Sequence, residues 1–146
     1  MLNRIFSPGP NSLGANVGLL ALRVWLGGTI LLNHGIGKLT GFRTLSGGFP
    51  DPFHIGHTGS LVLVVFAEVV AAALLALGLT TRFAALVLAV DMSVAFVFAH
   101  KGALSGDHSG ELAFIYLAGF VTLLLAGGGA VSMDKVVFKS GGAKKG

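Results

Sequence analysis

The chain contains no cysteine. That excludes disulfides, thiolate metal sites, thioether-linked haem and dithiol redox chemistry within it. Charge is the next shortage. Asp, Glu, Lys and Arg make up 11% of the 146 residues, where a soluble domain carries about 25%. The hydrophobic share is 53% and the mean hydropathy is +0.84. A soluble domain of this length has too little interior to hide that much apolar surface. The composition therefore implies one integral membrane domain over 1–146. Acidic groups are scarcest, 6 against 10 Lys and Arg. This basic balance does not point to nucleic acid, because most of the cations sit at the ends of apolar segments, where they set membrane orientation.

What is present is organised around Ser60 to Leu79, SLVLVVFAEVVAAALLALGL. As a helix it spans roughly 30 Å, the thickness of a bilayer's hydrocarbon core. Its one carboxylate, Glu68, lies near the middle. A charge there costs on the order of 2.5–3.5 kcal/mol by insertion scales, so Glu68 must be protonated, paired or turned toward water inside a bundle.

Hydropathy predicts helices over about 15–38, 60–79, 83–100 and 111–128, with a basic tail over 129–146. Residues 1–14 read as a short tail. A leader peptide is rejected, because the apolar run after Arg4 is long and lacks a small-x-small cleavage pattern. Thr80, Thr81 and Arg82 allow only a tight turn, which makes the second and third helices antiparallel neighbours. The expected fold is all-α, an up-down-up-down four-helix membrane bundle. Arg4, Arg82, Lys135, Lys139, Lys144 and Lys145 fall on one side, against Lys38, Arg43 and Lys101 on the other. That bias places both termini in the cytoplasm, with the protein multi-pass in an inner membrane.

Two layers of polar groups follow from depth. Counting 1.5 Å per residue from the inner ends, Arg23 lies at roughly 10–12 Å, Asp91 at about 12–14 Å and Glu68 at about 16 Å. Arg23 is expected to pair with Glu68, Asp91 or both, as a structural ion pair or a proton relay. His34, Lys38, His100 and Glu111 form an outer layer, either as interfacial polar residues or as a pocket for a quinone head group. Haem ligation by His34 and His100 is thinkable, but the spacing does not demand it. Asp91 and His100 are nine residues apart, half a turn on an α-helix, so the two are not expected to share the bundle axis. His54, His57, Asp51 and His108 read as loop residues rather than a metal site, and Trp25 and Tyr116 as packing or interface residues.

Several stretches together resemble the DoxX family of small membrane proteins. They are LRVWLGGTILLNHGIGKLTGF, Glu68 in VVFAEVVAAALLALGL, the turn GLTTR from Gly78 to Arg82, His100, Glu111 in ELAFIYLAGF, and GGGAVSMD from Gly127 to Asp134. The resemblance spans roughly residues 17–138 and rests on order and spacing. Where the family pattern often has a proline or charge near its closing glycines, this chain reads Gly-Gly-Gly-Ala. The resemblance implies four transmembrane helices and partnership in membrane redox or oxidative-stress assemblies. Arg82, Glu68, His34, Lys38, His100 and Glu111 match the family pattern, without assigned chemistry. The leading expectation is an accessory or anchor subunit of a quinone-linked assembly, in contact with lipid and other membrane subunits. The alternatives are a structural interaction protein and a small transporter or proton conduit using Glu68.

Overall fold

The computed structural model describes residues 12–139, which are helices and connections with no strand among them. Arg4, Lys144 and Lys145, together with the expected tail ends, lie outside the described residues. Among the described residues, three helices are long and apolar enough to cross a membrane: α1 Leu13–Thr40, α3 His57–Leu77 and α4 Thr81–Ala99. A short turn of helix, α2 Phe42–Leu45, follows α1. The apolar α5, Glu111–Ala126, is shorter, and α6 covers Met133–Lys139.

Each long helix contains a π turn: Leu31–Gly35 in α1, Phe66–Ala71 in α3 and Ala95–Ala99 in α4. A π turn widens the helix by one residue and occurs often at functional sites. The first contains His34, the second Glu68, and the third ends just before His100.

Small residues set the contact between α1 and α3. A Cβ on Gly27 would meet the Ala72 carbonyl, and one on Gly35 would overlap the backbone of Glu68. Helices in lipid approach this closely only where side chains are absent or small. Ala71, Ala72 and Leu75 of α3 join Ala84, Ala85 and Leu88 of α4 and Phe120 and Leu123 of α5 in one buried core.

The opposite end is closed by a wrap. Gly78 ends α3 in the left-handed conformation, φ 72°. The carboxylate of Asp134 accepts the backbone N–H groups of Thr80 and Thr81. A residue more than fifty positions away thus caps the first turn of α4, whose own N-terminal residue supplies no side-chain cap. Asp134 N–H donates to the Gly78 carbonyl at 2.9 Å, and Arg82 donates to the Leu125 carbonyl at 3.2 Å. The stretches GLTTR and GGGAVSMD are therefore two halves of one joint.

Candidate functional site

The site is built where the π turns of α1 and α3 touch. Gly35 lets α1 lie against Glu68, and Lys38, one turn further on, reaches across. Its Nζ is 2.6 Å from Glu68 Oε2. Glu68 is 4% exposed, while the Lys38 side chain keeps 24% of its surface. The partner of Glu68 is thus Lys38, and the expected pairing with Arg23 is corrected.

Arg23 serves the wrap instead. It is 1% exposed, and its guanidinium donates to the Val131 carbonyl. The depth count failed because it assumed flush inner ends. α1 starts at Leu13 and overhangs α3. Gly27 is level with Ala72 and Ala76, and Gly35 with Glu68. Arg23 therefore stands beside Gly78, about 18 Å along the helix from Gly35 at 1.5 Å per residue.

A cavity of about 1180 Å³ opens beside the ion pair. His34 and Lys38 of α1, Glu68 of α3, Asp91 of α4, His100 just after α4 and Tyr116 of α5 all line it. Of the outer layer expected from the sequence, the structure brings together His34, Lys38 and His100. Glu111 is not among the lining residues; it is exposed in the first turn of α5, where a carboxylate complements the helix dipole. Asp91 and His100 both line the cavity despite their spacing. The π turn Ala95–Ala99 lies between them, and its wider turn advances the chain through less angle per residue than an α-helix does.

The polar groups are unevenly satisfied. Asp91 Oδ2 is enclosed, with no hydrogen-bond partner among the described residues. Tyr116 is 8% exposed and stacks on Phe120, ring centroids 6.1 Å apart. His100 Nδ1 lies 3.2 Å from the His108 carbonyl oxygen. The sequence reads Tyr116 as a packing or interface residue; its one available signal is being the single tyrosine in the chain.

A strap between α2 and α3 forms another wall. Phe49, Asp51, Phe53 and Ile55 line the cavity, and Phe53 meets Phe98 of α4 edge-on, centroids 5.6 Å apart. Asp51 ties the strap down, accepting from Ser60 Oγ at 2.7 Å, Gly56 N–H at 2.8 Å and Ile55 N–H at 3.0 Å. His57 Nδ1 is 2.6 Å from the Phe49 carbonyl oxygen. Among the described residues, no three His, Asp or Glu side chains come together as a metal site.

The Ser60 hydroxyl, followed by the Gly56 and Ile55 amides, holds the Asp51 carboxyl below its ordinary value of 3.8. A lowered value stabilises the strap above pH 3.8 and loses that contribution as pH falls through the lowered value. Asp51→Asn is accordingly expected to loosen the strap at neutral pH. Hydrogen exchange at the Ile55 and Gly56 amides should rise roughly five- to tenfold, as expected when an amide loses its carboxylate acceptor. Wild-type exchange should rise only in strong acid. Unchanged exchange in Asp51→Asn at pH 7 would show that the carboxylate does not hold the strap.

A family model described as DoxX matches residues 18–101. That range contains Gly35, Lys38, Glu68, Asp91 and the turn at Gly78, and ends before α5. An uncharacterized protein of Haemophilus influenzae strain KW20 / Rd is 40% identical over 91 residues, covering 58% of this chain and 68% of its own length. A second uncharacterized protein of that strain is 30% identical over 133 residues, 87% of each chain. No solved structure matches significantly.

Proposed function

The chain belongs to the DoxX family of membrane proteins, and on that premise we propose that it serves as a small accessory or anchor subunit of a redox assembly in the cytoplasmic (inner) membrane, offering its cavity to the ring of a quinone. α5 is the fourth span, its 16 residues making about 24 Å of helix. Both termini are cytoplasmic, on the side favoured by the basic residues. The observation that carries the reading is a large cavity whose lining is mostly aromatic and aliphatic, with a few ionisable groups among it. Ligand sites for amphipathic rings have this composition: mostly apolar surface, with few polar groups that orient the head.

These residues fit a quinone. Lys38, His34 and Tyr116 carry groups able to donate to ring oxygens, and Phe49, Phe53 and Phe98 supply apolar surface in the lining. A quinone supplies two-electron, two-proton redox chemistry within the bilayer. The chain's own part is to bind and orient the ring, exclude water with the strap, and hold charge balance through Lys38 and Glu68.

The test is binding by the full chain in lipid nanodiscs, using a short-tailed benzoquinone. One ring per chain is expected, weakened at least tenfold in His34→Leu with the chain still folded. Binding that is not saturable, or that His34→Leu leaves unchanged, overturns the reading. A proton conduit through Glu68 is the second reading, favoured by the enclosed Asp91 oxygen beside the Lys38–Glu68 pair. Proton leak in vesicles containing only this chain would move that reading to the front.

A further inference from the structure

We propose that α6 and the wrap beside it form a docking surface for anionic phospholipid, which seats this end of the bundle on the bilayer surface. The inference stands apart from whatever the cavity binds.

Position comes first. The wrap joins the ends of three apolar helices: Gly78 closes α3, Thr81 opens α4 and Ala126 ends α5. Asp134, in the first turn of α6, accepts the amides of Thr80 and Thr81. Arg23 of α1 donates to the Val131 carbonyl, and Trp25, two residues on, is 77% exposed. Tryptophan collects where lipid meets water. α6 is therefore held at the level where the spans end, among the headgroups.

The surface it presents there is apolar on one side. Met133, Val136 and Val137 fall within about 100° of one another around a helix, and all three are exposed. Leu77 at the end of α3 and Val131 of the wrap are exposed as well. An open groove of about 410 Å³ brings these together, lined by Leu77, Ala130, Val131, Ser132, Met133 and Val136.

Charge decides which lipid. Over 133–146 the sequence has four lysines, Lys135, Lys139, Lys144 and Lys145, and one acid, Asp134. That acid is committed to the amides at the start of α4, and Lys135 is exposed. A zwitterionic lipid meets the apolar side alone. An anionic one also meets the uncompensated lysines, with its acyl chains against the groove and its phosphate beside the cations.

The lack of cysteine lets a single label report on this surface. The full chain as Val136→Cys, carrying a polarity-sensitive dye, is placed in nanodiscs of phosphatidylcholine with increasing phosphatidylglycerol. The dye is expected to move to a less polar environment as phosphatidylglycerol is added, and to saturate. Each basic residue near an anionic surface contributes roughly fivefold in affinity. Adding Lys135→Gln and Lys139→Gln should therefore weaken the dependence at least about fivefold or abolish it. High salt should do the same with the lysines intact, which tests the charge without relying on the variant's folding. The same dye at Ser105→Cys, in the exposed loop after α4, should not respond. A dye at 136 that reads water at every composition overturns the proposal. So does one that reads lipid equally in pure phosphatidylcholine, a shift that salt and the lysine substitutions leave unchanged, or an equal shift at 105.

Discussion

Lys38→Met is expected to destabilise the protein by at most about 3–5 kcal/mol, the cost of breaking a fully buried ion pair from one side, reduced here by the 24% of its surface that the Lys38 side chain keeps. Glu68→Gln is expected to cost far less. The asymmetry follows from Asp91. Lys38 stands against two carboxylates in one cavity wall, and it bonds one of them at 2.6 Å. Removing the lysine leaves Glu68 and Asp91 with no Lys or Arg in the cavity lining. Removing the glutamate charge leaves Lys38 and Asp91, one of each sign. Folded domains are stable by only about 5–15 kcal/mol, so the lysine variant should accumulate poorly. The double variant Lys38→Met with Glu68→Gln should recover much of the loss, because the residual charge falls from two carboxylates to one. Folded yield after detergent extraction and the melting temperature of the purified chain measure all three. A Lys38→Met variant no worse than Glu68→Gln would mean that Asp91 is electrostatically separate from the pair.

The sequence already pointed to Glu68 as the group the fold must accommodate, since a carboxylate inside a bilayer-length apolar run has few options. It did not reveal the partner, because that choice depends on how the helices are staggered. Hydropathy locates α1 near 15–38 but says nothing about its overhang beyond α3, and the overhang takes Arg23 away from Glu68. Gly27 and Gly35 carried the missing information. Their spacing marks the face of α1 that touches α3, and Lys38 follows Gly35 by nearly one turn. The π turns were not legible, since no residue pattern distinguishes them from α-helix in an apolar run. They explain how Asp91 and His100 come to line one cavity. The hydrogen bonds with which Asp51 holds the strap were hidden for another reason: they depend on the loop's closed geometry, which a Pro- and Phe-rich connection does not spell out. GLTTR and GGGAVSMD were visible as family marks, but their contact depends on the fold bringing distant segments together.

Gly78→Ala is expected to destabilise the protein by about 2–5 kcal/mol. Two costs combine. Gly78 holds φ 72° at the end of α3, a left-handed conformation that costs a residue with a Cβ roughly 1–2 kcal/mol. The added Cβ would also overlap the Arg23 guanidinium and come within 3.0 Å of the Ser132 Cβ, and overpacking costs about 1–3 kcal/mol. Arg23 has nowhere to retreat, being 1% exposed and tied to the Val131 carbonyl. Pushing it aside loosens the wrap, which carries Asp134 and the cap on α4. Gly37→Ala is the control: its Cβ meets nothing within 4 Å, so the change should be neutral or slightly stabilising. The steric part can be separated from the conformational part by combining Gly78→Ala with Arg23→Ala. The double variant removes the overlap and keeps the left-handed cost. Its loss should be smaller than the sum of the single losses by more than about 1 kcal/mol, the coupling expected of residues in direct contact. Strict additivity would show that Gly78 is required for its backbone conformation alone, and that Arg23 does not press on the turn.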